Sequence, residues 1–152
     1  MNDDEFVAAF ESCELPNEQF HHRDHLRLAL IYLRRYGYAG ARVRMPEAIR
    51  AYAAHHGAPG KYHATITIAW LRLVELAAKG CGAQDIFVAF PILLQKDALE
   101  KCYSLEVLWS EAARVVFIEP DLMPLGSLVS GAAGGPRADE GVRRPSLVAE
   151  AD

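Results

Sequence analysis

Residues 62–79 read YHATITIAWLRLVELAAK, and the fold class turns on them. Thr65, Ile66, Thr67 and Ile68 are β-branched, and on local preference alone they favour a strand. The longer spacing says otherwise. Ile66, Trp70, Leu73 and Ala77 recur every three to four residues, while Arg72, Glu75 and Lys79 gather on the opposite side. A strand cannot segregate those two sets over such a length. The segment therefore predicts an amphipathic helix stopping at Gly80.

The same period extends outward in both directions. Asp3 to Cys13 predicts a short helix with Phe6, Val7 and Phe10 on one side, broken by Leu15-Pro16-Asn17. Phe20 to Tyr36 predicts a second helix ending at Gly37. Ala39 to His56 predicts a third, ending at Gly57, with Pro46 kinking or restarting it. Downstream, Gln84 to Phe90 and Ile92 to Cys102 predict shorter pieces. A last helix is expected from Ser104, a good cap, to Phe117. The expectation is an all-α fold, an irregular bundle of five to seven helices. The helical domain should cover 1–125, with a flexible tail over 126–152, where the Gly-Ala-rich run has no periodic apolar residues.

Composition narrows the function classes. The chain has 152 residues, 51% of them hydrophobic and 24% charged, enough to bury one core and keep a wet surface. No apolar run approaches the roughly eighteen residues of a membrane span. A net charge of −4 argues against nucleic acid as a partner. The opening Met-Asn-Asp-Asp-Glu is unlike a secretory signal, so a cytoplasmic location is expected. Three widely spaced cysteines, with no CxxC, suit reduced structural thiols.

Histidines supply the candidate chemistry. On a helical projection, His22 and His25 fall within the apolar sector of the second helix, three residues apart. His63 falls beside the apolar stripe of the 62–79 helix, at its start, where the helix dipole favours a neutral imidazole. Inward histidines need partners or a task, so His22, His25 and His63 are the expected catalytic residues around one shared cavity. That arrangement requires the second and fourth helices to run roughly parallel, or to cross near their starts. Two chemistries stay open. The three imidazoles could ligate zinc or iron with a vacant position, although no HExxH is present. Alternatively they do metal-free acid–base work. Tyr62, Thr67, Trp70, Tyr103 and Arg114 are the expected substrate contacts. His55 and His56, in a last helical turn, read as complements to the helix dipole. The Gly57–Lys61 loop reads as a connector that could meet an anion; it lacks the GxxxxGK[ST] spacing of a nucleotide loop.

Assembled, these residues resemble a family of small uncharacterised bacterial proteins. The likeness rests on Phe20 to Leu26 (FHHRDHL), Lys61 to Thr67 (KYHATIT), Tyr103-Ser104, Ala113-Arg114 and Phe117 to Leu122, and covers about residues 5 to 125. Family members often carry Glu where this chain has Ala64. The resemblance implies a grouping of the histidines into one site and no particular reaction. The sequence thus leaves two functions: a small enzyme acting on a small molecule in a helix-lined pocket, or a non-catalytic module binding a small ligand or a protein.

Overall fold

The computed structural model describes residues 1–130. Among them there is no strand, and the architecture is the expected all-α bundle. Helices α1 (Asp3–Glu11), α2 (His22–His55) and α3 (Ala64–Gly80) form its body. Four-residue α4 (Ile86–Ala89), five-residue α6 (Glu111–Val115) and the 3-10 turn Leu125–Leu128 pack on α3, with four-residue α5 (Leu105–Leu108) beside α6. The TITI run is helical, as its longer spacing requires, because Ile68, Trp70, Leu71, Leu73 and Val74 can all be buried that way. No helix among the described residues is long and apolar enough to cross a membrane.

A kink in α2 organises everything else. Straight, its 34 residues would reach roughly 50 Å. Gly37 interrupts it at φ 71° and ψ 175°, a conformation open to glycine and costly for side-chain-bearing residues. The two arms fold back on each other. Tyr52 from the second arm donates to the carbonyl of Leu15 at 2.7 Å, and its ring lies 5.3 Å from that of Phe20, just before the first arm. Gly40 allows the close approach at the bend, since a Cβ there would meet the Tyr36 Cβ at 2.6 Å. The expected break at Gly37 is thus a hairpin of two helical arms. Pro46 is carried inside the second arm with no non-helical residue beside it.

The first arm runs in the same sense as α3. Near their starts, His25 shares a cavity with His63 and Thr67. Further along, Leu30, Leu33 and Arg34 share a groove with Glu75, Ala78 and Cys81. Between them lies the core: Leu26, Ala29, Tyr32, Trp70, Leu73 and Ala77, all essentially buried. Phe6, Val7 and Phe10 seal α1 onto it.

The end of α2 is a Schellman closure. Ala58 N–H donates to Ala53 O at 2.9 Å and Gly57 N–H to Ala54 O at 3.1 Å, with Gly57 at φ 75°. The expected single helix over Ser104–Phe117 is divided. Ser110 accepts from Ala113 N–H and donates to Val107 O at 2.8 Å, so it ends α5 and caps α6. The shorter pieces expected over 84–90 and 92–102 are α4 and two 3-10 turns. The ordered packing also extends past the expected boundary at Leu125. A 3-10 turn, Leu125–Leu128, lies on α3, and Val129 is 8% exposed. The rest of the expected tail, 131–152, lies outside the described residues.

Candidate functional site

A cavity of about 690 Å³ opens where the two arms of α2 meet the start of α3. Phe20, just before the first arm, and His25 within it line one side; Ile49, Tyr52 and His56 line it from the second arm and its end. The 3-10 turn Pro59–Lys61 and the first turn of α3 complete the wall. Its size is that of small-molecule sites generally.

Aromatic packing fixes the interior. Phe10 stacks on Tyr52 at 4.6 Å and tilts against Phe20 at 4.8 Å, so α1 presses both rings into place from behind. His25 stacks on Phe20 at 5.9 Å, and His56 tilts against Tyr52 at 4.3 Å. The two histidines thus approach the cavity from opposite ends of α2, each leaning on an aromatic ring of its own arm or of that arm's lead-in.

Among the described residues, two buried side-chain polar atoms have no hydrogen-bond partner: His25 Nε2 and His56 Nε2. Both belong to residues lining this cavity. Leaving such an atom unsatisfied costs on the order of 1–3 kcal/mol. Burial, with His22 nearby as a second cause, pushes the His25 imidazole down to about 4. It is therefore neutral at pH 7.

His63 also borders the cavity, but both its nitrogens are committed. Nδ1 accepts from Ile66 N–H at 3.1 Å, capping α3, and Nε2 donates to Leu108 O at 2.8 Å. These bonds fix one tautomer, and burial holds its pKa below the usual histidine value. An imidazole with no free lone pair is a poor general base or metal ligand. Its work is to cap α3 and tether α5, with the Trp109 ring edge-on at 5.3 Å.

His22 departs furthest from expectation. It does not line the cavity. Its Nε2 donates to Leu93 O at 2.8 Å and its ring packs edge-on against Trp70 at 4.6 Å. The apolar sector of the first arm faces two neighbours, and His22 and His25 lie on different sides of its midline. Each points inward, toward a different environment. Trp70, an expected substrate contact, is a core residue at 3% exposure, away from the cavity. Tyr103 is fully buried and donates to Ile118 O at 2.6 Å, holding the segment after α6. Of the expected contacts, Tyr62, Thr67 and Arg114 do line the cavity. Among the described residues, no three His, Cys, Asp or Glu side chains come together to hold a metal ion, which removes the geometric basis for a zinc or iron site on His22, His25 and His63.

Several contributors were not expected. Asp24 accepts from His21 N–H at 3.0 Å, tying down the start of α2 just before His25. Thr65 does the same for the chain after α6: its hydroxyl donates to Val116 O and accepts from Ile118 N–H, both at 3.0 Å. Arg114 was expected at the site, but not its bond to Gly60 O, which clasps the Gly57–Lys61 loop over the cavity. Trp109, 54% exposed, stands at the rim. His56 is the chief addition. Its place four residues after Tyr52, just before a glycine stop, was the available signal.

No protein-family model, no curated protein and no solved structure matches this chain.

Proposed function

We propose that the protein binds a small organic molecule in the cavity at the open end of the α2 hairpin, with His25 and His56 as its polar contacts. One observation carries this reading: both buried, unpartnered imidazole nitrogens belong to the wall of the same cavity. A ligand atom that reaches either nitrogen from the cavity supplies the missing bond. Binding then recovers a desolvation cost already present in the free protein. Aromatic and aliphatic walls from Phe20, Tyr52, Ile49 and Ile66 suit an apolar ligand body. Supporting roles fall to Tyr62 and Thr67. The reading takes the protein to act in the cytoplasm, without nucleic acid.

A second reading, a small enzyme using the two histidines for acid–base chemistry, is favoured by the neutrality of His25 at pH 7. Against it, among the described residues no carboxylate lines the cavity to orient either imidazole as a base. A thermal-shift screen of small organic molecules tests the binding reading. It expects hits whose stabilisation disappears in both His25→Phe and His56→Phe. Hits insensitive to both substitutions overturn it. Turnover of a hit, lost in the same variants, selects the enzyme reading.

A further inference from the structure

Among the described residues, the charged side chains that line the cavity are both cations, Lys61 and Arg114. We infer that its ligand is a small organic anion with a flat apolar body, its charged end held by Lys61 and Arg114. This rests on the reading of the cavity as a binding site and adds the ligand's class.

The chain is acidic overall, at −4, yet among the described residues no Asp or Glu lines the cavity. Lys61 and Arg114 do, and neither pairs with a carboxylate among the described residues. Glu18 is close enough to Tyr52 to help raise its phenol, but it lies outside the lining. A third cation stands just behind: the Arg50 guanidinium lies 4.8 Å over the Tyr62 ring. Arg114 spends one donor on Gly60 O, and a guanidinium has five, so a planar fork remains for an oxyanion. The loop it clasps is the one that brings Lys61 to the rim. A cationic ligand would meet uncompensated positive charge and no acceptor carboxylate; a divalent metal would meet the same. A neutral ligand would leave both cations without a counterpart. Carboxylates and phosphate monoesters share the chemistry that fits, and the walls from Phe20, Tyr52, Tyr62 and Trp109 favour a flat body between the charged end and the histidines.

The test is calorimetric titration of the full chain with 1-naphthoate, 1-naphthyl phosphate and neutral 1-naphthamide, at low and at physiological salt. The expected result is at least one anion binding tenfold or more tighter than the amide, with the advantage shrinking as salt rises. Lys61→Gln, at an exposed position whose side chain makes no hydrogen bond or ion pair among the described residues, should remove several-fold of that advantage. Arg114→Lys keeps the charge and should bind better than Arg114→Gln, with circular dichroism confirming that each variant is folded. Two anions of unequal affinity decide between carboxylate and phosphate. Equal affinities for anions and amide, abolished by His25→Phe, overturn the anion class and leave the cavity reading intact. Absence of binding by all three at millimolar concentration overturns both.

Discussion

His25 and His56 sit in the first turn and at the C-terminal cap of one helix, and the hairpin at Gly37 brings both to the wall of one cavity. In an unbroken helix they would be tens of ångströms apart. The site therefore depends on the bend as much as on the side chains.

Substitution at the bend should be costly. Gly37→Ala forces a Cβ onto φ 71°, and Gly40→Ala drives a Cβ into Tyr36. Each should cost about 1–3 kcal/mol, measured by urea denaturation. Exposed Ala54→Ser, on the same helix, serves as a control with little effect.

The cavity histidines and the capping histidine should separate cleanly. His25→Phe and His56→Phe remove an unsatisfied nitrogen while keeping a flat ring, so stability should hold or rise while binding is lost. His63→Ala removes the α3 cap and the Leu108 tether together, and should cost about 1–3 kcal/mol. If His25→Phe destabilises as much as His63→Ala, the nitrogen of His25 has a structural partner after all.

Acid should weaken the fold through the same residues. The His25 pKa falls from 6.5 in the unfolded chain to about 4 in the folded one, so the unfolded state binds a proton first as pH drops. Stability from this group is complete above pH 6.5 and declines down to about pH 4, by about 3 kcal/mol in all. His22 and His63 are lowered as well, also chiefly by burial, and act in the same direction. Urea midpoints at pH 7.5 and 4.5 measure the decline. The His25→Phe variant should show a shallower one.

Packing of the 3-10 turn on α3 sets a further expectation. A chain ending at Leu125 loses the buried Val129 and the half-buried Leu128, where a chain ending at Ser130 keeps both. The shorter one should be less stable by about 1–3 kcal/mol, read as a lower melting temperature.

Much of the fold was legible because helical spacing reports burial directly. Ile66, Trp70, Leu73 and Ala77 outvoted the local strand preference of TITI, and Gly37 and Gly57 each marked a real change in the chain's course. The short elements after Gly80 were less legible. Ser110 could have continued a helix or capped a new one, and the choice lies in a side-chain hydrogen bond. The site was legible by half. Projection put His22, His25 and His63 inward, which is where they are, but it cannot say what each meets: a carbonyl for His22, two backbone groups for His63, an open cavity for His25. In sequence His56 is only a complement to the helix dipole, because the fold-back that brings it beside the start of α2 leaves no periodic trace.

Long-range ¹H–¹⁵N imidazole spectra of histidine-labelled protein, titrated with 1-naphthoate and with 1-naphthamide, test the central claim most directly. His25 and His56 should shift together and saturate at the same ligand concentration, while His22 and His63, bonded to Leu93 and Leu108, hold their positions. Shifts confined to His22 or His63, or a His25 that moves without His56, would contradict a shared site at the open end of the hairpin.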